Sequence, residues 1–192
     1  GVDGDERDPN IFLPTFMTYS KGPDGPWTEP VMVPGTNVFA DQNFAHVIND
    51  DGSLLALQRG QVIYAPDWRN VSSYRSVNTW PDGGEDPFVW RDRDTGVYHA
   101  IVHISRINTT GFHYFSEDGF LWTSTPGGSP AYTSHVHYAD GTSHNFGCRE
   151  RPHLIFDDNG TIIALTNGAA EVHCHVAGSN DHAYTLLQTM NP

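Results

Sequence analysis

The sequence predicts an all-β chain folded as a β-propeller, and three observations predict it. Short apolar stretches alternate with turns built from Gly, Pro, Asn and Asp, and no stretch holds a helical period. One grammar recurs three times: an acid or amide, an apolar strand, an Asp-rich turn with glycine, and an apolar return strand. A phrase of aromatic, serine, turn and tryptophan-threonine also recurs, in Tyr19…Trp27-Thr28 and Phe115…Trp122-Thr123. A radial repeat of about four short strands per unit is the signature of propeller blades.

Residues 1–10 are polar and read as a lead-in. Ile11 to Tyr19 and Glu29 to Val33 are strand-like, separated by a Gly/Pro turn that ends on Trp27. The first unit opens at Asp41-Gln42-Asn43. Its strands run over Phe44 to Ile48, Ser53 to Gln58, Gln61 to Ala65 and Tyr74 to Val77, with the first hairpin at Asn49-Asp50-Asp51-Gly52. The second opens at Asp86, with strands over Phe88 to Arg91, Val97 to Ile104, Phe112 to Ser116 and Leu121 to Ser124. Tyr132 to Tyr138 adds strand-like material. The third opens at Glu150, with Pro152 to Phe156 and Thr161 to Thr166 as strands, Asn167-Gly168 as a turn, and Ala183 to Gln188 as the last strand. Residues 1–192 therefore read as a single propeller domain holding three blades and part of another, the C-terminal portion of a longer propeller.

Composition narrows the partners. The formal charge of −13 repels phosphate backbones, so nucleic acid is a poor partner. No apolar run is long enough to span a bilayer as a helix, so no membrane association is expected. Low lysine, high aromatic content and three sequons, at Asn70, Asn108 and Asn159, suggest a secreted glycoprotein that meets neutral, hydroxyl-rich ligands. Cys148 and Cys174 allow one disulfide or two buried thiols.

Two inner strands begin with acids. Asp86 precedes Gly96 by ten residues, and Glu150 precedes Gly160 by ten. Both stand next to an X-Pro step, in Glu85-Asp86-Pro87-Phe88 and Glu150-Arg151-Pro152-His153-Leu154. The matched spacing points both carboxylates at a common place; pairing with neighbouring arginines is the structural alternative. In a regular strand, Arg149 and Arg151 would point away from Glu150.

These motifs resemble those of the five-bladed propeller glycosidases, glycoside hydrolase family 43 and its relatives in families 32, 62, 68 and 117. The resemblance implies an exo-acting glycoside hydrolase on an oligo- or polysaccharide, with Glu150 as general acid and Asp86 as the aspartate that tunes it. The third carboxylate belongs to an earlier inner strand. Asn43, an amide, matches that register, so Asp41 serves, or the base lies outside this stretch, or catalysis is absent. In the last case the chain is a carbohydrate-binding or structural propeller. A neighbouring chain that completes the propeller is a further expected partner.

Asn43, His153, Trp90 and Arg151 are the candidate substrate-binding residues. Trp68, Trp80 and Tyr132 are further stacking candidates, whereas Trp27 and Trp122 sit at repeated turn exits and read as blade-packing residues. His46, His153 and His173 are candidates for the central face. The resemblance allows a central calcium ion; no other cofactor is expected, and no side chain is assigned as a metal ligand.

Overall fold

The protein is described by a computed structural model covering residues 12–13, 15–33, 38–39, 43–58, 60–79, 84–104, 110–172 and 183–190. Among the described residues all regular structure apart from one 3-10 turn, Val71–Ser73, is β. In chain order the strands are β1 Phe12–Leu13, β2 Phe16–Met17, β3 Val31–Met32, β4 Val38–Phe39, β5 Ala45–Ile48, β6 Leu54–Gln58, β7 Gln61–Ala65, β8 Arg75–Asn78 and β9 Glu85–Arg91. They continue as β10 Tyr98–His103, β11 Thr110–Ser116, β12 Thr123–Ser124, β13 Tyr132–Thr133, β14 His135–His137, β15 Ser143–Asn145, β16 Cys148–Phe156, β17 Ile162–Ala170 and β18 Ala183–Thr189.

Three larger antiparallel meanders carry the architecture: β5-β6-β7-β8, β9-β10-β11-β12 with β13 added beside β11, and β16-β17-β18. The pairs β1-β4, β2-β3 and β14-β15 are small two-stranded sheets. The first strand of each meander ends at an Asn or Asp whose N–H bonds back to the return strand: Asn49 to Ser53 O, Asp92 to Val97 O and Asp157 to Thr161 O. Asp92 and Asp157 also accept from backbone N–H groups through their side chains, which closes the turns. The positive φ required there falls on Gly52, Gly96 and Gly160.

The meanders stack face to face. On one side of the middle sheet, Tyr98, Ala100, Val102 and Tyr114 meet Leu55, Leu57 and Val62 of the first sheet. On its other side, Ile101 meets Leu154 and Leu165 of the third sheet, with Phe88, Trp90 and Phe156 at the margin. The near-continuous apolar run of β10 follows from this double burial, because both faces of the strand are covered. The outer face of the first sheet is covered by Met17 and Val33 beside β2-β3, and that of the third by Val136 and Phe146 of β14-β15 and its approach. Each buried aliphatic or aromatic side chain contributes roughly 1.5–3 kcal/mol relative to exposure.

The serine-aspartate-glycine-tryptophan turn is structural, as its sequence suggests. Asp118 accepts from the N–H groups of Phe120 and Leu121, Ser116 Oγ accepts from Gly119 N, and buried Trp122 donates Nε1–H to Gly119 O. Its counterpart Trp27 departs from expectation. It is 58 % exposed. Asn167-Gly168 is not a turn either. Strand β17 runs straight through it, with Asn167 buried by its hydrogen bonds and Gly168 directly opposite Glu150.

Candidate functional site

The site forms where the first strands of the three meanders meet; β9 lies against β5 on one side and β16 on the other. Strands β9 and β16 break their ladders in the same way. Asp86-Pro87 opposes the single residue Val102 between the pairs Glu85↔His103 and Phe88↔Ile101. Arg151-Pro152 opposes Asn167 between Glu150↔Gly168 and His153↔Thr166. Both are β-bulges, and proline, which has no N–H to give the ladder, suits such a place. The residue before each proline takes a left-handed backbone, φ 51° at Asp86 and 54° at Arg151. These are the only non-glycine residues with positive φ among those described. Such conformations cost on the order of 1–3 kcal/mol each and re-aim the side chains they carry.

This geometry corrects the spacing argument. Glu85, not Asp86, is the structural counterpart of Glu150, and Asp86 is the counterpart of Arg151. Counting back from the turn glycine slips by one residue because the Asp92–Gly96 turn is one residue longer than Asp157–Gly160. The bulges also overturn the expected separation of Arg151 from the acids. Its Nη1 lies 3.5 Å from Glu150 Oε1 and its Nε 4.0 Å from Asp86 Oδ1. Alternation across a pleat fails where the backbone turns left-handed. Arg149, in regular strand, does point away. It is fully buried, donates to Asn167 Oδ1, Thr133 O and Gln188 Oε1, and lies over the Tyr132 ring.

Asp86, Glu150 and His103 converge: one ligand atom from each lies within 4.8 Å of the others. Asp86 and His103 are buried, whereas Glu150 is partly open, its side chain 22 % exposed. Glu85, also buried, places Oε1 3.4 Å from His103 Nδ1. Asn43 donates its side-chain N–H to Asp86 Oδ1, which brings the amide of the preceding meander into the same group. Burial pushes the Asp86 carboxyl up to about 6. Charges on Glu150 and Glu85 push the same way, while Arg151 and His103 oppose them. Asp86 therefore keeps its proton up to about pH 6, well above ordinary carboxylates. The Asp86/His103/Glu150 group is able to hold a metal ion, in contrast to the absence of assigned metal ligands in the sequence reading.

The other candidates lie elsewhere. Asp41, Trp80 and His173 fall outside the described residues. His153 is exposed two residues beyond the bulge, edge-on to Phe88 at 4.4 Å. Trp90 sits at the turn end of β9, stacked on His99 at 5.2 Å. It lines a cleft of about 560 Å³ with Phe156, Arg93 and Asp157, and does not join the carboxylates. Tyr132 is buried beneath Arg149, and Trp68 is covered by Arg69 and edge-on to Tyr19, so neither offers a free ring face comparable to a stacking platform. His46 is exposed and tilted against Phe44. Sequence reasoning missed Glu85 and His103. The shared Glu-X-Pro spelling of Glu85-Asp86-Pro87 and Glu150-Arg151-Pro152 was the available signal for Glu85.

No protein-family model matches the sequence, and no curated protein does. Solved structures do match. The GH43 BlXynB protein from Bacillus licheniformis is 16 % identical with a TM-score of 0.58, over 91 % of this chain and 33 % of its own. The xylan β-1,4-xylosidase from Bacillus halodurans C-125 is 14 % identical with a TM-score of 0.59, over 92 % of this chain and 35 % of its own. The chain thus spans about a third of the length of the solved chains it matches. At this identity the likeness concerns fold, and the fold is that of part of a GH43 β-propeller.

Proposed function

We propose that this chain carries part of the active site of a secreted, exo-acting glycoside hydrolase. The observation that carries this reading is the convergence of Asp86 and Glu150 from two neighbouring meanders at matching bulges. Glycoside hydrolysis needs a carboxylic acid to protonate the departing oxygen and a carboxylate to act at the sugar carbon. Glu150 is the more open of the pair and delivers the proton as the glycosidic C–O bond breaks. Asp86, buried against it and titrating at about 6, keeps a proton available to the pair in mildly acidic solution. Water supplies the hydroxyl that completes the sugar. The residue that activates this water is Asp41 or a carboxylate of a further blade, contributed by the same or a neighbouring chain. In this reading Arg151, 3.5 Å from Glu150, and His153, exposed on the same strand, meet the substrate's hydroxyls. Secretion is supported by the disulfide at Cys148, since such bonds persist in oxidising compartments. Asn70 and Asn159 lie on exposed turns, accessible to glycosylation.

The test is Glu150→Gln in a protein that releases sugar from a panel of aryl glycosides and oligosaccharides. Hydrolysis should fall at least about a hundredfold with an unchanged circular dichroism spectrum. A variant as active as the parent overturns the assignment.

One observation favours a second reading. Asn43 stands in register with Asp86 and spends its amide on it, so that position offers no base. In this reading the propeller binds glycans without cleaving them. A glycan array followed by product analysis separates the two, because turnover of a bound glycan rules out the second.

A further inference from the structure

We propose that Asp86, Glu150 and His103 form a binding site for a divalent first-row transition ion, of the zinc or manganese class. Acidic residues alone would not justify this. The independent observation is His103. It is completely buried; Nδ1 faces the Glu85 carboxylate at 3.4 Å without hydrogen-bond geometry, and Nε2 has no hydrogen-bond partner among the described residues. A buried imidazole nitrogen left without a partner forfeits the compensation that buried polar groups require. One of its nitrogens lies with the Asp86 and Glu150 oxygens inside the 4.8 Å group.

Charge and donor chemistry point the same way. Three carboxyl groups, Glu85, Asp86 and Glu150, meet here against one guanidinium. That guanidinium is weakly engaged. Arg151 is 70 % exposed, and its contacts of 3.5 and 4.0 Å exceed the roughly 2.7–2.9 Å of a charge-assisted hydrogen bond. A divalent cation balances the carboxylates from inside the group. Glu85, 3.4 Å from His103 Nδ1, is the carboxylate that orients the imidazole, as carboxylates commonly do beside metal-ligating histidines. An imidazole among three protein donors suits zinc or manganese better than calcium, which takes six to eight oxygens. Donor distances of roughly 2.0–2.2 Å require the three side chains to close on the ion, and Glu150, with its side chain 22 % exposed, has room to do so.

The inference shares two residues with the proposed hydrolytic site but does not depend on hydrolysis. An ion on Glu150 and Asp86 would hold both carboxylates unprotonated, so the bound state is a restrained form of that site. Isothermal titration of the chelator-stripped 192-residue chain with ZnCl₂, MnCl₂ or CaCl₂, without substrate, tests it. The expected result is one zinc or manganese ion per chain, bound at least about tenfold more tightly than calcium. His103→Gln should weaken it by about tenfold or more. If His103→Gln does not fold by circular dichroism, Glu150→Gln, on the partly exposed edge of the group, should show the same weakening. Several outcomes overturn the proposal: neither ion binding to the folded chain, calcium binding more tightly than both, or affinity indifferent to the folded variant. A chain that binds the ion yet cleaves no glycoside once stripped of it overturns only the hydrolase reading. One that cleaves and binds no ion overturns only this one.

Discussion

Asp86 concentrates the physics of the site in one side chain. It is buried, left-handed, held by Asn43 and flanked by two further carboxyls. Its carboxyl titrates at about 6 when folded and near its ordinary 3.8 when unfolded. The folded state therefore binds this proton more tightly. The stability it contributes is complete below about pH 3.8 and is lost as pH rises through 6. The loss amounts to about 3 kcal/mol, at 1.36 kcal/mol per pH unit. Asp86→Asn removes the charge and keeps an acceptor for Asn43. In the metal-stripped protein it should raise the melting temperature above pH 6.5 and leave it nearly unchanged near pH 4. A wild-type-minus-variant difference that is flat across that range would contradict the account. Asp86 and Glu150 were legible from sequence because each precedes a turn glycine by ten residues and stands at a proline step. The company they keep was not. Strand alternation sends Arg151 away from Glu150, and only the left-handed backbone before Pro152 brings it back. His103 closes the apolar run of β10, which also carries His99, and no local pattern distinguishes it.

At the scale of elements, two joints hold the site in place. Strand β13 packs Tyr132 directly onto Gly111 of β11. A Cβ at Gly111 would lie 2.0 Å from Tyr132 Cε1, so Gly111→Ala must displace a buried ring. Denaturant unfolding should show a loss of about 1–3 kcal/mol or more, typical of overpacking. The second joint is Arg149, which ties β16 to β13, β17 and β18 through three hydrogen bonds. Arg149→Ala strands buried acceptors and opens a cavity, and should cost about 2–5 kcal/mol by the same measurement. A loss under about 1 kcal/mol would show that the joint is dispensable. Most strands were legible because each inner hairpin closes on an Asn or Asp and a glycine. Asn167-Gly168 misled because its composition is that of a turn. In the folded chain Asn167 spends its amide on Arg149 and the Glu150 carbonyl, which keeps the strand extended.

The described residues form a series of sheets stacked around the site, with a disulfide at Cys148, the first residue of the strand that carries Glu150. Reduction should lower stability by about 2–5 kcal/mol, read as a drop in melting temperature with dithiothreitol. No change would place the bond outside the cooperative unit. The repeat, and with it the propeller, was legible because each inner hairpin repeats one grammar. The number of blades was not, since a chain spanning a third of its structural relatives does not display a closed ring. The covering of the middle sheet on both faces has a consequence for motion. Amide protons of β9 and β10 should exchange with solvent only on global unfolding, while those of β18, whose side chains are mostly exposed, exchange through local opening. Asp86 and His103 thus ride on the part of the molecule that opens last. Glu150 belongs to a sheet whose outer strand opens early, so a partial opening that spreads inward from β18 would draw the two halves of the site apart before the protein unfolds.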